Sequence, residues 1–141
     1  MRALVPLAAL VLAACGGAQV YQSDGAKNLT VRTELREVTA ALHVHEVVGA
    51  DCKTNYRGVI PLDRPEVELA MPSTRLVYLV VRFDGSSFLG GSRAISTGTL
   101  VEPRPGYRYE LRVRYFNKIY DVALSEIDRK GASRELPRRS C

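Results

Sequence analysis

From Tyr107 to Leu124 the chain alternates as a half-buried β-hairpin does. Tyr107, Tyr109, Leu111, Val113 and Tyr115 fall on one parity, and Arg108, Glu110, Arg112 and Arg114 on the other. Successive side chains of a strand point to opposite faces, so this pattern buries one face and wets the other. The turn Pro103-Arg104-Pro105-Gly106 precedes it. Phe116-Asn117-Lys118 turns after it, and Tyr120, Val122 and Leu124 alternate back. A two-stranded hairpin is not stable alone in water, so the rest of the chain has to cover its apolar side. The three tyrosines are read as core residues with edge hydroxyls rather than as a carbohydrate platform.

The remainder supplies further short strands. Leu29, Val31, Thr33 and Leu35 share one parity, and Val38, Ala40, Leu42 and Val44 share the opposite one. The switch predicts a bulge or break near Arg36–Glu37. A short helix over Glu34–Leu42 competes, because Leu35, Val38 and Leu42 also lie on one helical face. Residues 49–58 read as loop by composition. Val59–Leu62 reads as an edge strand, because Pro61 cannot donate to a central ladder. Val67 and Leu69 alternate with Glu66 and Glu68. Leu76–Phe83 is almost wholly apolar and reads as a central strand covered on both faces. Asp84–Ser92 is a Gly/Ser loop, Ser96–Val101 a strand, and Leu136 belongs to a last short strand. The chain shows no internal repeat and no low-complexity segment. The expectation is an all-β domain: a single β-sandwich of about seven mostly antiparallel strands.

The first 23 residues carry one charge, Arg2, followed by an apolar run from Ala3 to Ala14. About 12 residues are too few to span a bilayer core, which takes ~20 in a helix. They suit the apolar region of a secretory signal peptide. Leu12-Ala13-Ala14-Cys15 resembles the lipobox of bacterial lipoprotein precursors, residue for residue. That resemblance implies cleavage between Ala14 and Cys15 and lipidation of Cys15. The single Arg before the apolar run is a thin basic region for that family. A plain signal peptide cut near Ala18 is the alternative. Gly16, where an Asp commonly retains Gram-negative lipoproteins at the inner membrane, implies the outer membrane, with the domain facing the periplasm. The division expected is a signal peptide at 1–14, a lipidated cysteine and flexible tether at 15–27, and a sandwich at 28–141. Pro105-Gly106-Tyr107 and the strand that follows resemble the strand entry of transthyretin-like and immunoglobulin-like envelope modules.

Lys and Arg number 20 against 15 Asp and Glu, for a formal charge of +5, which falls by one if Arg2 leaves with the signal. A modest basic excess suits anionic neighbours such as phospholipid or lipopolysaccharide phosphate. No basic-aromatic pattern points to nucleic acid. If lipid takes Cys15, then Cys52 and Cys141 remain in a compartment that allows disulfides. A bridge between them closes a loop of about 90 residues, for which chain entropy gives ~4–5 kcal/mol. It also ties down a C-terminus whose Arg138-Arg139-Ser140 has no apolar side chain to dock.

Three sets of side chains are candidates for chemistry. His43 and His45 share a strand face and can chelate a borderline metal with a third ligand such as Glu46 or Asp51. The plainer reading is two outward polar residues. Arg108, Arg112 and Arg114 form an outward strip suited to phosphate or carboxylate, unless cross-strand Asp121 and Glu126 neutralise it. Thr54–Arg57 and the Ser86–Ser92 loop are recognition loops by position. The chain has no G-x-S-x-G elbow, no phosphate cradle and no free Cys–His pair once Cys52 is bridged. No enzyme and no cofactor are expected. The leading expectation is an outer-membrane lipoprotein whose sandwich binds or assembles an envelope component: a protein, peptidoglycan or lipopolysaccharide. An accessory lipoprotein of a secretion machine is the alternative drawn from the transthyretin-like resemblance. A metal-handling or hydrolytic protein using His43 and His45 is the alternative from another class.

Overall fold

The computed structural model describes residues 17–74, 76–86 and 92–141. The expected signal peptide, with the cleavage at Ala14–Cys15 and the lipidation at Cys15 that the lipobox resemblance implies, lies outside those residues. Within them the chain is all β. The strands are β1 (Leu29–Leu35), β2 (Val38–Val47), β3 (Thr54–Pro61), β4 (Glu66–Leu69), β5 (Val77–Ser86), β6 (Ser92–Val101), β7 (Arg108–Phe116), β8 (Ile119–Ile127) and β9 (Ser133–Glu135). They form a five-stranded sheet, β4-β1-β7-β8-β9, and a four-stranded sheet, β3-β2-β5-β6. Every strand pair is antiparallel except β1 with β7, which run parallel. The two sheets make a β-sandwich.

The parity switch at Arg36–Glu37 is the passage from one sheet to the other. Glu37 takes a left-handed φ of 63°, and β2 continues in the opposite sheet. Leu29 and Val31 therefore face the core from one side and Ala40, Leu42 and Val44 from the other. No helix forms over Glu34–Leu42. The β7–β8 hairpin turns on Asn117 and Lys118, with φ of 49° and 64°. Two successive left-handed residues give the type I′ twist that matches paired strands. Tyr109, Leu111 and Val113 bury fully against Leu79, Val81 and Phe83 of the facing sheet's strand β5 in one core cluster.

Four local expectations need correction. Residues 54–58 are strand: Asn55 and Tyr56 pair with Glu46 and His45 across a register shift at Val44/His45. Pairing with β2 overrides the poor β-propensity of Asn and Gly. The loop after β5 is shorter than expected, because pairing continues to Ser86 opposite Ser92. What remains of that recognition loop, 87–91, lies outside the described residues. β5 is central, but only its inner face is sealed: Tyr78 and Val80 are half-buried and Arg82 is exposed. Lastly, the flexible tether is shorter than 15–27. Val20 makes a parallel bridge to Val59. The Tyr21 ring is buried, and its hydroxyl donates to the Ala70 carbonyl at 2.7 Å. The domain takes in Gln19–Tyr21, which cover part of the β3 edge.

That docking depends on Gly58. Its φ is +140°, and a Cβ there would sit 2.6 Å from the Tyr21 backbone. Gly58→Ala is expected to cost about 1–3 kcal/mol and to release Gln19–Tyr21. Amide exchange should quicken at Tyr21, whose N–H donates to the Val59 carbonyl at 3.1 Å, before it quickens in the core. Unchanged protection at Tyr21 would contradict the docking.

The C-terminus laces the two sheets. Leu136 N–H donates to the Leu124 carbonyl at 2.8 Å, and Leu100 N–H donates to the Arg139 carbonyl at 2.8 Å. Cys141 then forms a disulfide with Cys52, Cα to Cα 5.5 Å, across a sequence separation of 89.

Candidate binding site

The arginine strip lies on the outer face of the five-stranded sheet, where β1 and β7 place their charged residues side by side. Arg32 reaches Glu66 at 2.6 Å and Glu110 at 3.0 Å. Arg114 bonds Asp121 through Nη2 at 2.5 Å and Nε at 3.0 Å, and Arg112 approaches the same carboxylate at 3.8 Å. Arg112 Nε is buried without a hydrogen-bond partner. Arg108 makes no ion pair among the described residues. The strip is therefore graded: Arg114 is committed, Arg112 shares an acid, and Arg108 is open to solvent. Exposed pairs of this kind add little stability.

Glu126 does not belong to that face. The register sets it opposite Tyr109, so it points inward, its side chain only 8% exposed. It accepts from Arg104, from Arg134 Nη2 at 3.2 Å, and from the Tyr109 hydroxyl at 3.3 Å. The Arg104 hydrogen bond holds the Glu126 carboxyl below its ordinary pKa, against the opposing effect of burial. Arg104 also lies over the Tyr107 ring at 4.0 Å. The cluster fixes the Pro103–Gly106 turn onto β8, which is a structural task.

At the hairpin tip the strip ends in an apolar patch that sequence reading did not single out. Phe116 and Ile119 are paired across the turn and are 57% and 66% exposed. The Arg36 guanidinium stands 5.8 Å from the Phe116 ring centre. With Glu34, Leu35, Arg114, Tyr115 and Asp121 they line an open cleft of about 660 Å³. Large apolar side chains beside a guanidinium group such as that of Arg36 can take a partner carrying both apolar and anionic groups. The available signal was the parity of Phe116 and Ile119, which places two apolar residues on the wet face.

His43 and His45 lie on the outer face of the other sheet. The register sets His43 beside Val59 and Val80, and His45 beside Tyr56 and Tyr78. His43 Nδ1 is 3.3 Å from the Tyr56 hydroxyl. The His45 ring lies 5.1 Å from the Tyr56 ring and 6.2 Å from that of Tyr78, and its Nδ1 has no hydrogen-bond partner. Tyr78 lies flat across Gly98, where any Cβ would collide with its ring. Among the described residues, no three His, Cys, Asp or Glu groups gather as a metal site. Glu46 instead pairs with Arg57 at 3.2 Å, and Asp51 sits exposed beyond the end of β2.

Burial pushes the His43 pKa below its ordinary 6.5; Arg82 adds to this and Asp84 opposes it. Burial lowers His45 too, with His43 adding. Below 6.5 the unfolded chain therefore binds more protons than the folded one. The stability these groups contribute is complete above 6.5 and is lost as pH falls through the depressed folded values. Urea midpoints should drop between neutral pH and about pH 5, above the range where carboxylates titrate. The double variant His43→Gln, His45→Gln should flatten that slope, and a flat wild-type profile would refute it.

No protein-family model matches this chain, and no curated protein or solved structure matches it.

Proposed function

We propose that this chain is an outer-membrane lipoprotein, held by acyl groups on Cys15, whose sandwich is a periplasmic binding module for an envelope component. The observation that carries the binding reading is the hairpin tip. Phe116 and Ile119 are large, apolar and exposed beside Arg36, on a hairpin that turns at Asn117 and Lys118. Recognition by residues at one end of a sandwich is a common use of this architecture. The Cys52–Cys141 bridge agrees with an oxidising compartment. The lipobox at Leu12–Cys15 supplies the anchor.

A photo-crosslinking residue at position 119 should give a discrete adduct in intact cells. Arg36→Glu or Phe116→Ser should reduce it several-fold, while the same probe at position 66, on the same sheet, should give none. Equal adducts from both positions would remove the tip as the binding site. Cys15→Ser should abolish lipidation; unchanged detergent partitioning of that variant would remove the anchor.

A further inference from the structure

The two outer faces of the sandwich differ in kind. One is the charged ladder around Arg32, Glu110 and Asp121. On the other, the half nearest the disulfide presents Val20, Tyr56, His43, His45, Tyr78 and Val80 in two adjacent rows across the strands. These six residues carry no carboxylate and no guanidinium; the Arg57–Glu46 ion pair, at 3.2 Å, stands at their margin, formed by the residues next to Tyr56 and His45, and Arg82 with Asp84 lies beyond Val80. Val20 is 60% exposed and Tyr56 40% exposed. Burial lowers the pKa of both imidazoles, which favours their uncharged form, and the Tyr78 ring lies against Gly98.

The chain outside the described residues points to what covers this face. Gln19–Tyr21 run parallel to β3, and Gln19 Nε2 donates to the Arg57 carbonyl at 3.3 Å. Toward its N-terminus the segment therefore runs back alongside Arg57 and Tyr56. From Gly17, the first described residue, Cys15 is two residues away, a reach of at most about 7 Å. An acyl anchor there holds the domain against the headgroups by the margin that carries Val20 and Tyr56.

Resting on the lipoprotein reading above, we infer that the Val20–Tyr56–Tyr78 face lies on the bilayer that holds the Cys15 acyl chains, at headgroup depth. Tyrosine rings with one polar end suit that depth. Tethering makes the second contact intramolecular, so a weak apolar face is enough to fix the orientation. The hairpin tip, on the opposite sheet, is then directed into the periplasm.

The chain contains no Trp, so Tyr56→Trp introduces a sole indole, and Phe116→Trp supplies its counterpart on the other sheet. The full lipidated protein is reconstituted in phosphatidylethanolamine–phosphatidylglycerol vesicles with brominated acyl chains, and its N-terminal mass is measured. Expected are a blue-shifted emission from position 56 that loses most of its intensity to bromolipid, and an unquenched, water-like emission from position 116. Val20→Glu, at an exposed position, should reduce the quenching at position 56 without moving the thermal midpoint. Equal quenching at both positions, or none at 56, overturns the orientation while a lipidated Cys15 leaves the anchor standing. A blue shift at 56 that grows with protein concentration without lipid assigns the face to a second copy and also overturns it. An unlipidated Cys15 removes both readings.

Discussion

Cys141→Ser, or reduction of the wild type, is expected to lower stability by about 2–4 kcal/mol. The bridge joins residues 89 apart, so its loss releases a large part of the unfolded ensemble from constraint. In the folded chain it also frees the segment that laces the sheets. Two hydrogen bonds hold that segment otherwise, Leu100 to Arg139 and Leu136 to Leu124, each 2.8 Å. Beyond Leu136 its side chains are exposed. The C-terminus should become protease-sensitive before any strand of the core. Urea denaturation with and without reductant measures the stability, and limited proteolysis with mass analysis locates the first cut. Coincident urea curves would show that the bridge contributes nothing. A first cut within β5 or β7 would show that the lacing is not the weakest point.

Phe83→Ala is expected to cost about 3–5 kcal/mol, a large share of the ~5–15 kcal/mol that stabilises an ordinary domain. Phe83 is 1% exposed, packs edge-on against Tyr120 with ring centres 4.9 Å apart, and fills the gap between the sheets from the central strand β5. Its truncation removes apolar burial and leaves a cavity that neither sheet can close without moving its whole ladder. The adjacent Arg82→Ala is the control. Arg82 is exposed and, among the described residues, its ion pair is with Asp84, so its loss should stay within about 0.5 kcal/mol. Similar costs for the two variants would mean that the sandwich core is not where the register puts it.

Much of this was legible from period two alone. The β7–β8 hairpin, the break at Arg36–Glu37 and the edge position of Pro61 follow from parity and from proline's missing N–H. Glu126 was legible as well: it continues the parity of Tyr120, Val122 and Leu124, and so belongs inside, where Arg104 and Tyr109 meet it. Composition hid that, because an acid is ordinarily assigned to the wet face. Thr54–Gly58 and Gln19–Tyr21 were not legible, since neither carries a strand pattern; each is extended only because β2 or β3 lies beside it. The tip patch lies between. Phe116 and Ile119 could be placed on the outward parity, but their exposure depends on nothing else folding over them.

By itself the sequence determined which residues of the clearest strands share a face, where the β7–β8 hairpin turns, and that two cysteines are available to each other once Cys15 is assigned to lipid. These are local properties: a strand's alternation and a turn's φ angles depend on a few neighbouring residues. Only the tertiary structure decided that β1 runs parallel to β7 with β4 at its other side, that β2 and β5 lie together in the second sheet, and that Arg32 therefore reaches Glu66 and Glu110. It also decided that one outer face is a ladder of charges and that part of the other gathers Val, Tyr and His beside the N-terminal segment. Period two assigns each side chain to a side of its own strand and carries no information about which strand comes next. That choice is made by long-range pairing, where burial of the common core selects one arrangement.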